Sequence, residues 1–317
     1  MKIAVMGAGG VGGFLGGKLA FGGRDVVFVA RGKHLEALRS YGLRVVGAEE
    51  FIVSPVIVSD DPQAFGQVDV VLFCVKLYDT ESAAAQLKPM LADHTVVVTL
   101  QNGVESQQRI GSVIGEEKVL SGAAYFPASI NLPGEIVFKG SIPGKPLVEV
   151  GEGQGDSSRL AEQLIEEFQK AGVTAALIND ASLMLWEKFC WIAGVSGVTA
   201  ATRQPIGIVR ADPDMRALFV DCVRECAAVG RGSGVPLDLA LEERLMGLLE
   251  TNPAEGKSSL LVDLERGRPL ELDGLSGAVH RLGGKYHVAT PVTSAIYAAL
   301  KPFRAGDKKD YLRQTPK

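Results

Sequence analysis

Apolar positions fall in short unbroken blocks through the first 178 residues and in helical periods beyond them. Residues 2–7 (KIAVMG), 25–30 (DVVFVA), 68–75 (VDVVLFCV) and 95–100 read as buried strands, because a strand covered on both faces shows no polar alternation. Residues 43–59 hold two extended, β-branched stretches. Residues 119–126, 135–139, 147–150 and 174–178 predict further strands, separated by Pro and Gly. Helices are predicted over 10–23, 80–90, 105–114 and 158–171. From 181 to 300 the pattern is helical, with breaks near Pro205, Pro213, Pro236, Pro253, Pro269 and Pro291. The expected organisation is an α/β domain over 1–178 and an all-helical domain over 179–317. The charged stretch 301–317 is expected to fray.

Glycine changes this picture locally. It makes up 38 of 317 residues, about 12% against a usual ~7%, and nine of the first 23 residues are Gly. The net charge is −4 and the pI near 5.7, so the chain has no global attraction to nucleic acid or an anionic membrane. Cys74, Cys190, Cys222 and Cys226 lack zinc-ligand spacing and read as reduced thiols of a cytoplasmic protein. Cys222 and Cys226 share a helix face, but a metal site needs two more ligands. The longest apolar window, 183–201, contains Glu187 and Lys188, which argues against a membrane span. The glycine-rich opening is unlike the apolar core of a signal peptide.

Gly7-Ala8-Gly9-Gly10-Val11-Gly12 fits G-x-G-x-x-G and stands between a predicted strand and a predicted helix. Gly7 permits a tight turn, Gly9 lets the backbone approach a pyrophosphate, and Gly12 allows close helix–strand packing. The N–H groups of Gly10, Val11 and Gly12 open the helix and face an anion with a positive dipole end. An NAD site places an acid at the end of the second strand. Here that strand ends Val29-Ala30-Arg31, and a guanidinium suits a 2′-phosphate. An ordinary surface arginine is the alternative for Arg31, but the missing acid points the same way independently, so the expected cofactor is NADP(H).

Other polar residues follow predicted strands, where ligands of such folds bind. Lys76 follows the strand ending Cys74-Val75, and Gln101-Asn102-Gly103 follows the next one. A loop lysine and an Asn-Gly turn would explain either one alone. In the helical half, Lys188 lies in the run LMLWEKFCWI. Partial burial would lower its pKa and make it a usable general acid, whereas snorkelling would leave it an ordinary amphipathic lysine. Ser258, Ser259, Asp263 and Glu271 form a second group, in which capping or pairing with Arg266 and Arg268 would also account for Asp263 and Glu271.

Together these residues resemble the ketopantoate reductase (2-dehydropantoate 2-reductase) family along essentially the whole chain. The matching pieces are GAGGVG at 7–12, AR-G at 30–32, VK at 75–76, QNG at 101–103, W-x-K at 186–188, SSL…D at 258–263, E-x-D at 271–273 and TP at 290–291. The resemblance implies a Rossmann-type dinucleotide-binding domain, a helical C-terminal domain and NADPH-dependent reduction of a 2-oxo acid in pantothenate biosynthesis. It implies that Lys188 protonates the carbonyl oxygen, that Glu271 hydrogen-bonds the substrate and that Ser259 helps hold its carboxylate. Lys76 and Asn102 would contact both cofactor and substrate. It also implies a homodimer, with neither nucleic acid nor membrane as a partner.

One departure bears on specificity. The family usually carries asparagines four and eight residues after the catalytic lysine. Here those positions are Ile192 and Ser196. A lost hydrogen bond weakens selection for a substrate hydroxyl. The alternatives are therefore ketopantoate itself, a more apolar 2-oxo acid or ketone, or a non-catalytic NADP(H)-binding sensor. The retained Lys188 and Glu271 argue against the sensor.

Overall fold

The computed structural model describes residues 1–306, so most of the charged tail lies outside the described residues. The chain forms two compact units. The first comprises Met1–Gln101 and Glu105–Ala181. The second comprises Asn102–Val104 and the chain from Ser182 onward.

The first unit holds twelve strands: β1 (Lys2–Met6), β2 (Asp25–Val29), β3 (Leu43–Gly47), β4 (Phe51–Val53), β5 (Ile57–Ser59), β6 (Val68–Phe73), β7 (Leu91–Thr99), β8 (Val119–Ala124), β9 (Ala128–Leu132), β10 (Glu135–Phe138), β11 (Val148–Gly151) and β12 (Ala175–Ile178). Its helices are α1 (Gly10–Phe21), α2 (Gly32–Tyr41), α3 (Thr80–Gln86), α4 (Ser106–Ile114) and α5 (Asp156–Lys170). Eight strands form one sheet in the order β12-β11-β8-β7-β6-β1-β2-β5, parallel except for the β8–β11 pair. The order reverses beside β1, so a crevice opens at the carboxyl ends of β1 and β6. β4-β3-β10-β9 form a separate sheet.

The two sheets sandwich α1, and this explains its glycines. A Cβ at Gly16 would lie 2.5 Å from Val5 Cγ2 and 2.6 Å from Phe28 Cε1, on the large sheet. A Cβ at Gly13 would lie 2.9 Å from Ile136, and one at Gly17 2.8 Å from Leu43, both on the small sheet. Phe14 fills the same layer, stacked on Phe138 at 4.0 Å between centroids and tilted against Phe126 at 4.9 Å. Burying such a ring contributes about 1.5–3 kcal/mol. Ala4, Met6, Val71 and Phe73 face the opposite side of the large sheet, among α3 and α4 residues Ala83, Ala84 and Ile110.

The second unit is helical: α6 (Ala181–Thr202), α7 (Ile206–Ala211), α8 (Pro213–Gly232), α9 (Leu241–Thr251), α10 (Ser259–Glu265), α11 (Ser276–Lys285) and α12 (Pro291–Leu300). Among its described residues there is no strand. The prolines start helices as well as end them. Pro213 opens α8 behind Asp212, whose carboxylate accepts from the Asp214 and Met215 N–H groups. Pro291 opens α12, whose Val292 and Thr293 N–H groups donate at 2.8 Å to the Glu225 carboxylate of α8. All four cysteines are free thiols, and burial pushes Cys222 up to about 12. Among the described residues there is no cluster of metal-ligating side chains and no helix long and apolar enough to cross a membrane.

Several elements differ from the sequence expectation. α2 and β9 have no counterpart in it. Only Leu35 and Leu38 of α2 are buried, too few to set a period, and β9 is largely exposed. The 43–59 stretch forms three strands, with a cis Ser54–Pro55 bond between β4 and β5. The 80–90 helix stops at Gln86, and Pro89 sits in a 3₁₀ turn over Lys88–Met90.

Candidate active site

The glycine turn leaves β1 at Gly7, whose φ of +98° lies in the left-handed region and favours glycine. The Gly7 and Ala8 N–H groups donate to Val29 O at 3.2 and 3.3 Å, tying the turn to β2. A Cβ at Gly12 would stand 2.2 Å from Gly7 O, and one at Gly10 2.1 Å from Ala128 O on β9. These two glycines are therefore required by backbone contact. Gly9 differs, because a Cβ there would meet nothing within 4 Å. The first intrahelical bond is Gly13 N–H to Gly9 O at 2.6 Å. Among the described residues, no turn, loop or cap hydrogen bond of the backbone uses the N–H of Gly9, Gly10, Val11 or Gly12. Open space thus adjoins Gly9 at a helix start whose first four main-chain N–H groups are donors, an arrangement that suits a phosphate.

Arg31 follows β2 and precedes α2. Its side chain is 80% exposed and forms an ion pair with Asp79. Lys76 is half-buried and precedes a 3₁₀ turn over Leu77–Asp79 after β6. That turn is held firmly. Gln101 Nε2 donates to Val75 O and to Thr80 Oγ1, both at 3.0 Å. Arg109 donates to Leu77 O at 3.0 Å and forks onto Glu81 at 2.7 and 2.8 Å. The Arg109 hydrogen bond holds the Glu81 carboxyl below its usual range. The carboxyl ends of β1, β2 and β6 therefore bring together the glycine turn, Arg31 and the Lys76 segment. These groups fit a nicotinamide dinucleotide: open backbone donors for the pyrophosphate and an exposed guanidinium for further negative charge.

In the helical unit, Lys188, Ile192 and Ser196 succeed one another at four-residue spacing on α6 and share one face. Lys188 and Ile192 are half-buried and Ser196 is 3% exposed. Thr199 continues that face. Its hydroxyl donates to Val195 O at 2.6 Å and lies 2.7 Å from Ser258 Oγ. Ser258 caps α10 by accepting the Leu261 N–H at 3.1 Å. This network seats the start of α10 beside the Lys188 face. Ser259 is the first residue of α10 and is exposed. Asp263 is buried and pairs with Arg268 at 3.8 Å. Glu271 is buried at the head of a 3₁₀ turn. Its segment is anchored by Leu270 N–H to Arg304 O at 2.9 Å and by Tyr297 Oη donating to Asp273 at 2.8 Å. Asn102 is half-buried and groups with this unit, beside Gly103 with φ +97°.

The sequence reading did not assign the supports of this site. Gln101 stood in the QNG motif without a role, and Asp79 and Arg109 carried no signal beyond being charged. Their partners lie 21 to 48 residues away.

Comparison with known proteins connects these parts. Residues 3–152 match the family model described as ketopantoate reductase PanE/ApbA, and residues 180–304 match its C-terminal model. A 2-dehydropantoate 2-reductase of Mesorhizobium japonicum is 34% identical, over 95% of this chain and 97% of its own. The crystal structure of a PanE/ApbA family ketopantoate reductase from Ralstonia eutropha superposes with a TM-score of 0.87 at 31% identity, covering 98% of this chain and 100% of that one. D-mandelate dehydrogenase, solved with NADH and anilino(oxo)acetate, shares the fold at a TM-score of 0.87 but only 20% identity, covering 98% and 99%. With a glycine-turn sheet unit, a helical unit bearing W-x-K, and similarity running nearly end to end, the chain belongs to the ketopantoate reductase family of nicotinamide-dependent oxidoreductases.

Proposed function

We propose that this protein reduces a 2-oxo acid with NADPH, 2-dehydropantoate to pantoate being the first assignment, and that Lys188 is the general acid. The observation that carries the reading is Lys188 itself, half-buried beside Glu187 in the mainly apolar run 183–192 of α6 and matched to the family's W-x-K. Gly9, Gly10, Val11 and Gly12 would hold the pyrophosphate through main-chain N–H groups. Arg31 would take the 2′-phosphate, whose charge and adjacent acceptor oxygens suit a planar guanidinium fork. Lys76 and Asn102 would contact cofactor and substrate. When bound, reduced nicotinamide supplies a hydride to the carbonyl carbon. The Lys188 ammonium then stabilises the charge growing on the carbonyl oxygen and gives it a proton. Glu271 would orient the substrate's oxygens, and Ser259 its carboxylate.

Ile192 favours a second reading, a more apolar 2-oxo acid. Its aliphatic side chain, half-buried one turn beyond Lys188, offers contact surface and no hydrogen bond. The test is steady-state NADPH oxidation against 2-dehydropantoate, branched and aromatic 2-oxo acids. The highest kcat/KM for 2-dehydropantoate establishes the first assignment. The highest value for an apolar acid establishes the second, and no turnover of any overturns both.

A further inference from the structure

His34 lies in the first turn of α2, half-buried, and carries none of the roles assigned above. Its Nε2 lies 2.8 Å from Ala8 O, inside the glycine turn. Its Nδ1 accepts the Gly134 N–H at 3.0 Å, from the turn between β9 and β10. A carbonyl can only accept and an amide N–H can only donate. The partners therefore dictate a neutral imidazole with its proton on Nε2. Burial acts in the same direction, lowering the His34 pKa.

From this geometry we propose that His34 is a positioning residue that aims the Gly9 N–H at the cofactor's pyrophosphate, an inference that rests on the nucleotide site assigned above. In a trans peptide the C=O and N–H point in opposite directions. Holding the Ala8 carbonyl against the imidazole turns the Gly9 N–H the other way, ahead of the Gly10, Val11 and Gly12 donors. The far end of the clasp is fixed as well. Gly134 O accepts the Arg44 N–H of β3 at 2.9 Å, so His34 leans on a braced corner of the small sheet. The same sheet meets the turn at a second point, where Gly10 packs on Ala128. The small sheet thereby serves as a splint for the phosphate loop, and His34 is its side-chain link. A preorganised donor costs nothing to orient when the anion arrives.

The pyrophosphate is common to NADPH and NADH, whereas Arg31 would read only the 2′-phosphate. The experiment compares Kd for NADPH and NADH in the wild type, His34→Ala, His34→Gln and Arg31→Ala, by fluorescence titration with a thermal melt of each protein. His34→Ala is expected to weaken both nucleotides by the same factor, about tenfold, the value of one well-placed hydrogen bond. Its kcat at saturating NADPH stays near wild type. His34→Gln is expected to restore most of the affinity, because a carboxamide carries a donor and an acceptor two bonds apart, as the imidazole does. Unchanged Kd in a folded His34→Ala protein overturns the proposal, as does weakening of NADPH alone. If His34→Ala does not fold, nitrogen-15 spectra of the wild type decide. A neutral Nε2–H imidazole, with a Gly9 amide that shifts alike on adding either nucleotide, supports the clasp. A charged or Nδ1–H imidazole, or an unmoved Gly9 amide, overturns it. A wild type that binds neither nucleotide would instead overturn the cofactor assignment beneath it.

Discussion

Around Gly7–Gly12 the groups offered to a ligand are main-chain N–H donors, whereas along α6 they are the side chains of Lys188, Ile192 and Ser196. The two regions therefore tolerate change differently. In the turn, function depends on what the residues lack: a Cβ at Gly10 or Gly12 would overlap a carbonyl oxygen. On α6 the helix survives any residue of suitable size, and each side chain sets only its own contact. A backbone site is hard to retune and a side-chain site easy. On the proposed assignment, the cofactor end is thus expected to stay constant while the substrate end varies at positions such as Ile192 and Ser196.

The largest expected effect separates the regions outright. Lys188→Ala should cut kcat about 10²–10⁴-fold, the usual contribution of a general acid, while the NADPH Kd stays put. A comparable loss of NADPH affinity would show that the two regions are not separable. Gly12→Ala should do the reverse, with damage to nucleotide binding and stability together. Forcing a methyl against Gly7 O should cost about 1–3 kcal/mol in a denaturant melt and raise Kd for both nucleotides. Arg31→Ala probes the side chain assigned to the 2′-phosphate. It should weaken NADPH about 10–100-fold, as expected for a charge-assisted hydrogen bond, and leave NADH nearly unchanged. Equal losses would remove the 2′-phosphate assignment. The smallest effect is a retuning. Ile192→Asn should move the kcat/KM ratio toward hydroxylated 2-oxo acids by about tenfold, the value of one hydrogen bond. An unmoved ratio would take Ile192 out of the specificity surface.

Legibility followed the range of the interactions. β1, β2 and β6 were readable because parallel strands covered on both faces need continuous apolar runs, and 2–7, 25–30 and 68–75 supply them. The glycine turn was readable because its reasons are mostly local, with Gly12 packing on Gly7 five residues back. α2 and β9 were not, because the first buries only two leucines and the second is an exposed edge strand. His34 was invisible for a different reason: its Gly134 partner is 100 residues away. Ser258 shows the opposite case. The serine pair was readable as chemistry, yet the structure uses Ser258 to cap α10 and meet Thr199.

The sequence by itself determined the two-part architecture, the glycine turn with Arg31 after its second strand, and the Lys188–Ile192–Ser196 face. Each is a pattern of apolar period or of residue spacing along consecutive elements, where local geometry leaves few alternatives. Only the tertiary structure decided why α1 needs so many glycines, what holds the Lys76 segment, and which side chain sets the Ala8–Gly9 peptide. The first and last depend on a second sheet that pairs β3 with β10, about ninety residues apart, and the Lys76 segment depends on Gln101 and Arg109, bonded to carbonyls 26 and 32 residues away. Pairing over such a distance is fixed by packing of the whole unit and leaves no period in the chain.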